Sequence, residues 1–243
     1  MHLDRLQRRA LDAMGIQVWE SVAAPAADVP AVEPAGAPAP AGTDARQAPV
    51  AARSGAARQA AGAWEALEAE VRHCTRCALA ASRTQTVFGV GNRDADWMVI
   101  GEAPGAEEDR QGEPFVGRAG QLLNQMLRAV GQSREQVYIA NILKCRPPNN
   151  RDPKPEEIAA CRDYLQRQIE LVSPQLLLAV GRIAAQALLQ TDAPVGRLRG
   201  RVHRLAPGGL PLVVTYHPAY LLRSPAQKRK AWEDLRLARS LLR

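Results

Sequence analysis

Four short aliphatic runs alternate with four helical patterns along most of this chain. The runs cover residues 97–101, 137–143, 175–180 and 212–215, and the helical patterns cover residues 120–130, 155–171, 182–189 and 226–242. Strands that are separated by helices usually pair in parallel, because each helix returns the chain to the same end of the sheet. The pattern therefore predicts an α/β fold with a mostly parallel sheet that is covered by helices on both faces.

The composition of residues 21–63 differs from that of the rest of the chain. This segment contains 18 Ala and 6 Pro and has no aromatic residue. It can bury too little apolar surface to offset the entropy that folding costs. We predict a disordered linker over residues 21–63 and one folded domain over residues 64–243.

Residues 1–20 form a separate short segment before this linker. Apolar residues recur on one face of a predicted helix, at Leu3, Leu6, Ala10 and Met14. A short amphipathic helix at the end of a long linker is typical of a docking peptide. We expect residues 1–20 to bind a protein partner.

Charge and hydropathy narrow the class of protein. Residues 1–60 contain six basic and six acidic residues, so the net charge of +7 belongs to the predicted domain. A basic domain favours a polyanion such as nucleic acid as its partner. The sequence has no run of about 18 apolar residues and no apolar N-terminal signal. We expect a cytoplasmic monomer that does not bind membranes.

Polar residues follow three of the predicted strands. The first strand leads into a loop over residues 101–120 that holds five Gly and a run of charged side chains. Asn141 lies in the second strand, and His217 follows the last one. The carboxyl ends of parallel strands meet at one edge of a sheet, which is where α/β proteins bind ligands. We expect these three elements to form one site.

The four cysteines of the chain provide a candidate metal site. They are Cys74 and Cys77, which form a CxxC pair, together with Cys145 and Cys161. A two-residue spacer lets both thiolates of a CxxC pair reach one metal centre. The spacing leaves both zinc and a 4Fe-4S cluster open and slightly favours zinc, the commoner metal of four-thiolate sites.

Four sequence blocks resemble the family 4 uracil-DNA glycosylases, the iron–sulfur branch of the uracil-DNA glycosylase superfamily. The blocks are GEAPG, EPFVGRAGQLL, YIANILKCRPPNNRDP and HPAYLLR, and they occur in the family's order. Cys74 and Cys77 precede the first block, Cys145 lies within the third, and Cys161 follows it. The resemblance covers residues 64–243. It implies a three-layer α/β/α fold, hydrolytic removal of uracil from single- or double-stranded DNA in base excision repair, and a 4Fe-4S cluster on the four cysteines instead of zinc.

The resemblance also implies roles for the residues at the sheet edge. A base in a duplex must be flipped into a pocket before an enzyme can act on it. We expect Phe115 to stack on the uracil, Asn141 to read its edge, and His217 to donate a hydrogen bond to O2 as the leaving group becomes anionic. Backbone at Gly101, Ala103 and Gly105 is expected to line the same pocket.

The group that activates water is less clearly marked. The best-known branch of the superfamily has an Asp beside the Pro of the first block, where this chain has Ala103, and a bulky Tyr where it has Gly105. Three carboxylates in the loop could serve instead, and we rank them Glu102, then Glu108, then Asp109. Glu102 could position the water or the uracil, and Glu108 and Asp109 could also stabilise the cationic sugar.

The last block is expected to contact DNA. Tyr220 and Leu221 could fill the gap that a flipped base leaves, and Arg223 could bind a phosphate. The competing interpretation is that residues 220–222 simply begin the last helix. A rival function for the whole chain is a non-enzymatic nucleic-acid-binding module with a four-cysteine zinc site.

Overall fold

The computed structural model describes residues 3–17 and 50–242, with side chains from residue 61 onward in the second range. Its strands form one sheet in the order β1-β3-β2-β4-β6-β5. The strands are β1 (Val90–Gly91), β2 (Trp97–Gly101), β3 (Tyr138–Asn141), β4 (Leu176–Val180), β5 (Val202–Leu205) and β6 (Leu210–Thr215). The four central strands are parallel, and the edge strands β1 and β5 pair antiparallel. The predicted mostly parallel sheet is confirmed.

Helices cover both faces of this sheet. They are α1 (Arg5–Ala13), α2 (Val50–Arg72), α3 (Ala106–Gln111), α4 (Arg118–Ala129), α5 (Pro155–Val172), α6 (Arg182–Leu189), α7 (Val195–Leu198), α8 (Pro218–Arg223) and α9 (Lys228–Ser240). One apolar core lies between the sheet and α2, α5, α6 and α7, and a second lies between the sheet and α1, α4, α8 and α9. The three-layer α/β/α fold is therefore confirmed. No helix in the described ranges is long and apolar enough to cross a membrane.

The central strands are apolar on both faces because both faces are covered. Every residue of β2 and β4 is buried, which is typical of parallel strands between two helical layers. Met98 and Ile100 pack into the first core, whereas Trp97 and Val99 pack into the second. The two cores thus hold the sheet rigidly from opposite sides, and the strand ends form a fixed platform for the loops.

The N-terminal helix packs on its own domain. Ala10, Leu11 and Met14 of α1 are buried in the second core, against α4. Part of the apolar face that we expected to bind a protein partner is therefore covered, but Leu6 of that face is 71% exposed, and a protein partner for residues 1–20 stays a prediction. Its amphipathic pattern did predict the helix correctly, and Asp4 caps it by accepting from the Gln7 amide.

The boundary of the predicted linker also changes. Helix α2 begins at Val50 and continues to Arg72, so it crosses the expected boundary at residue 63. Alanine is the strongest helix former, which explains how an Ala-rich segment can extend a helix that packs further along. Residues 18–49 lie outside the described residues, and disorder over that range stays a prediction.

The sheet register brings the predicted site residues to one edge. Gly101 at the end of β2 pairs with Asn141 at the end of β3, and Val180 at the end of β4 pairs with Thr215 at the end of β6. His217 follows two residues later, at the start of α8. The chain segments after four parallel strands therefore converge at one place.

Candidate active site

A cavity of about 640 Å³ opens at this edge of the sheet. Its volume is in the range that holds small organic ligands. It is bounded by the loops after β2 and β3, the start of α6, the start of α7 and the segment from Tyr216 to Arg223. The lining residues are Glu102, Ala103, Pro104, Gly105, Glu108, Phe115, Ala119, Asn141, Pro147, Asn150, Arg151, Asp152, Gly181, Arg182, Val195, Tyr216, His217, Ala219, Tyr220 and Arg223.

Asn141 presents an unpaired amide oxygen to this cavity. The residue is buried, and its Oδ1 has no hydrogen-bond partner in the described part of the chain. The buried Lys144 ammonium holds the end of β3 in place. It donates to the Asn141 carbonyl at 2.9 Å and to Gln168 Oε1 at 2.5 Å. A buried polar atom without a partner is costly, so this oxygen is suited to accept from a ligand.

Phe115 is held by an unusual backbone conformation. Its φ of 56° lies in the left-handed region, which a bulky side chain rarely adopts. Arg134 fixes this turn by donating to the Pro114 carbonyl at 2.5 Å and the Phe115 carbonyl at 3.2 Å. The ring lies against Gly101, where an added Cβ would come 2.6 Å from Phe115 Cζ and would also meet the Asn141 amide. Glycine at 101 therefore lets the ring and the amide share one wall of the cavity.

His217 is a neutral histidine with one tautomer favoured by its contacts. Its Nδ1 accepts from the Ala219 amide at 3.1 Å and so caps α8. Burial lowers the pKa of His217 to about 4, and the nearby Arg223 adds to this effect. Since Nδ1 is an acceptor, the proton of the neutral ring is on Nε2. The imidazole ring lies 5.6 Å from the Phe115 ring, centroid to centroid, so it offers one N–H donor beside the aromatic wall.

Glu102 is a carboxyl group whose protonation changes near neutral pH. Burial and the nearby charge of Asp152 together raise its pKa to about 7, and Arg182 partly opposes this rise. Its side chain accepts no hydrogen bond from the described residues, whereas Asp152 pairs with Arg182 at 2.5 Å. A carboxyl group with a raised pKa in a cavity is a candidate general acid or base.

Glu108 lines the cavity, but its oxygens are occupied. They accept from the backbone amides of Gly105 at 3.1 Å, Val116 at 3.1 Å and Gly117 at 3.2 Å. A side chain at position 105 would come 2.7 Å from Glu108 Oε2, so the glycine permits this contact. Glu108 therefore organises the loop around Phe115, and the expectation that it activates water is not supported by its contacts.

Asp109 lies outside the cavity. It is buried, and its carboxylate accepts from the Thr84 amide at 2.9 and 3.1 Å and from the Gln85 amide at 3.5 Å. These contacts attach α3 to the loop before β1. The expectation of a catalytic role for Asp109 is not supported by its contacts, because the carboxylate is buried against backbone donors and does not line the cavity.

The predicted DNA-contacting residues separate into two groups. Tyr220 and Arg223 line the cavity mouth and are exposed, and the Tyr220 ring lies 5.1 Å from that of Tyr216. Leu221 is fully buried in the second core. Leu221 therefore cannot fill a gap in DNA, which agrees with the competing interpretation that residues 220–222 belong to a helix. Its neighbour Leu222 is 38% exposed.

The four cysteines lie in one region beside the first core. Cys145 and Cys161 are buried, and Cys74 and Cys77 pack against the same core half-buried. Burial raises the pKa of Cys145 to about 11, and Cys161 and Cys77 are near enough to add to this. Within the described ranges, no three His, Cys, Asp or Glu side chains are arranged to hold a single metal ion.

Several cavity residues escaped the sequence analysis. Asp152 and Arg182 shape the charge beside Glu102, and Tyr216 extends the aromatic surface. Arg182 comes directly after the end of β4, so the rule that sites form at strand ends could have found it. Asp152 lies in the third sequence block, but only the tertiary fold shows that the loop carrying it returns to the cavity.

Comparisons with known proteins agree with this geometry. The model of the family described as the uracil DNA glycosylase superfamily matches residues 88–236. The chain is 45% identical over 171 residues to the type-4 uracil-DNA glycosylase of Archaeoglobus fulgidus, covering 68% of this chain and 85% of the relative. It is 43% identical over 182 residues to that of Thermotoga maritima, covering 74% and 94%. A type-5 uracil-DNA glycosylase of Thermus thermophilus is 33% identical over 149 residues, covering 54% and 68%. The chain therefore belongs to the uracil-DNA glycosylase superfamily and, within it, to the type-4 enzymes.

Proposed function

We infer that this protein is a uracil-DNA glycosylase, which hydrolyses the N-glycosidic bond between uracil and deoxyribose. The observation that carries this function is the unpaired, buried Oδ1 of Asn141, which faces a cavity between Phe115 and His217. Uracil offers an N3–H donor to this oxygen. Cytosine has no hydrogen on N3, so it would leave the oxygen unpaired, a mismatch that such sites reject strongly.

We propose that the flipped uracil stacks on Phe115 while the Asn141 amide accepts from N3–H and donates to O4. Cleavage of the C1′–N1 bond leaves the bonding electron pair on the uracil ring and positive charge on the sugar. His217 donates its Nε2 proton in a hydrogen bond to O2, where part of that negative charge collects. Because the imidazole is neutral, it stabilises the anion as a donor and keeps its proton.

The water that attacks C1′ needs a group to accept its proton. Glu102 fits this role, since it is the carboxyl group at the cavity that has no competing hydrogen bond in the described ranges. As a carboxylate it takes the proton from water while the water oxygen bonds to C1′. The uracil anion then takes a proton from solvent as it leaves.

We propose that the four cysteines hold a 4Fe-4S cluster. The donor set supports this, because all four ligands are thiols and three of the sulfurs accept N–H hydrogen bonds, from Arg76 N at 3.5 Å, Arg83 Nη1 at 3.2 Å and Lys144 N at 3.3 Å. The cluster would tie α2, α5 and the segment after β3 together, and hydrolysis needs no electron from it. Iron and sulfide analysis with a visible absorption spectrum tests this, since a colourless protein with one zinc would refute it.

The activity is tested with a uracil-containing oligonucleotide, single-stranded or duplex, followed by alkali to cleave abasic sites. We expect strand cleavage by the protein and a fall of about 10²–10³-fold in kcat for His217→Asn, as for loss of an oxyanion donor. The Asn Oδ1 can still accept from the Ala219 amide, so this variant keeps the α8 cap, while its shorter side chain places no N–H at the position of His217 Nε2. Absence of cleavage by the unaltered protein would refute the function and favour a non-enzymatic DNA-binding module.

A further inference from the structure

Helix α1 lies outside the part of the chain that the family model matches, residues 88–236. It runs antiparallel to α4. Near its start, Gln7 Nε2 would be 3.1 Å from a Cβ added at Gly131, just beyond the end of α4. Near its end, Ala13 shares a small cavity of about 320 Å³ with Arg118, Gln121 and Gln125, on the first turns of α4.

The same small cavity connects α1 to the segment at the active-site mouth. Leu122 of α4, Leu222 of α8 and Lys228 of α9 complete its lining. Tyr220 and Arg223, on the same short helix as Leu222, line the large cavity. Helix α1 therefore lies directly beside the surface that a DNA strand must cross to place its base in the site.

This flank of α1 is basic. Arg9 lies four residues before Ala13, so it occupies the same side of the helix, and it is exposed. Arg118 and Arg223 are also exposed, and Lys228 is half-buried. No ion pair joins these four cations to a carboxylate in the described ranges. Asp12 is also exposed on α1 and lies three residues after Arg9, so it neighbours Arg9 on the helix surface and offsets part of this positive charge.

We propose that α1 extends the DNA-binding surface, with Arg9, Arg118 and Lys228 contacting backbone phosphates beside the flipped nucleotide. This proposal rests on DNA being the substrate. Nine residues of helix span roughly 14 Å, which corresponds to about four base pairs of duplex. Ala10, Leu11 and Met14 hold α1 in place in the second core, and Arg9 adds a contact from outside the matched residues 88–236.

The test measures the dissociation constant for an undamaged duplex of about 30 base pairs at several salt concentrations. Each phosphate contact contributes about 0.9 to the slope of log affinity against log salt. We expect Arg9→Gln to reduce the slope by about one contact and to weaken binding several-fold at low salt. Arg9→Lys should keep the slope, because the slope counts the phosphates that Lys or Arg side chains neutralise.

The matched control is Arg204→Gln. Arg204 is an exposed arginine on β5, opposite Pro211 and so near the amino end of β6, away from the cavity. We expect it to leave the slope unchanged. An Arg9→Gln slope equal to that of the unaltered protein would overturn the proposal, as would an equal loss in Arg204→Gln. The readout does not involve excision, so failure of the proposed chemistry would be seen separately in the alkali assay.

Discussion

Glu102 and Asp109 belong to the same loop region, only seven residues apart, yet their carboxyl groups have opposite surroundings. Glu102 lines the cavity without a hydrogen-bond donor from the described residues, and its pKa is raised to about 7. Asp109, on α3, is buried and accepts from two consecutive backbone amides. The comparison shows that available backbone donors, more than position in a motif, decide which carboxylate is free for chemistry.

Glu108 lies between these extremes. It lines the same cavity as Glu102, but its two oxygens accept from three amides and so fix the Phe115 turn. A carboxylate that must hold three N–H groups cannot take up a water proton without weakening those bonds. Glu102, Glu108 and Asp109 thus differ stepwise in how free their carboxylates are to accept a proton from water, and mutagenesis can test this order.

The largest effect is expected from Glu102→Gln. The amide has the same shape but cannot accept a proton from water, so kcat should fall by about 10²–10⁴-fold, the usual contribution of a general base. KM for uracil-containing DNA should change little, because Glu102 is assigned no contact with the base. Single-turnover excision rates measure this effect. A loss of less than about threefold would place water activation elsewhere.

The pH dependence of kcat/KM sharpens the same assignment. Because the pKa of Glu102 is raised to about 7, the carboxylate is lost as the pH falls through that value, and activity should fall with it. Asp152→Asn removes the neighbouring negative charge and also frees Arg182, and both changes favour the carboxylate. The acidic limb of the profile should therefore move to lower pH in this variant and be absent in Glu102→Gln. His217, with a pKa of about 4, should not contribute above that range.

A smaller effect is expected from Glu108→Gln. One oxygen becomes an NH₂ group that cannot accept, so at least one of the Gly105, Val116 and Gly117 amides loses its partner, at a cost of about 1–3 kcal/mol. Thermal unfolding should show reduced stability, and excision should slow by about tenfold or less through a less ordered Phe115 turn. The acidic limb near pH 7 should remain. Its disappearance would show that Glu108, and not Glu102, is the base.

The sequence predicted the layers of the fold because their signals are local. The aliphatic runs in β2 and β4 and the helical periodicity of α4 and α5 depend on neighbours a few residues away. The short edge strands β1 and β5 and helices α3, α7 and α8 were not predicted, since their lengths of two to six residues carry little periodicity. The packing of α1 on α4 also has no local signal, because it joins segments that are more than a hundred residues apart.

The site could be predicted only in part, because some of its features depend on contacts between segments that are distant in the sequence. Strand ends and motif resemblance indicated Asn141, Phe115 and His217, and the structure brings all three to one cavity. The periodicity of α8, which buries Leu221 and exposes Leu222, became clear only once the core behind it was known. Hydrogen bonds from distant amides, such as that from Thr84 to Asp109, cannot be predicted from the residues next to the acceptor.

The smallest catalytic effect is expected from Asp109→Asn. The substitution keeps one oxygen to accept from the Thr84 amide but replaces a charged acceptor with a neutral one, so the free energy of unfolding should fall by about 1 kcal/mol. Excision should change by less than about twofold, because this carboxylate faces away from the cavity, toward the segment before β1. Chemical denaturation and single-turnover kinetics on the same preparation separate the two quantities. If the rate fell as it does in Glu102→Gln while stability stayed constant, Asp109 would have to reach the substrate in a different loop conformation, and the contrast between the two carboxylates would be lost.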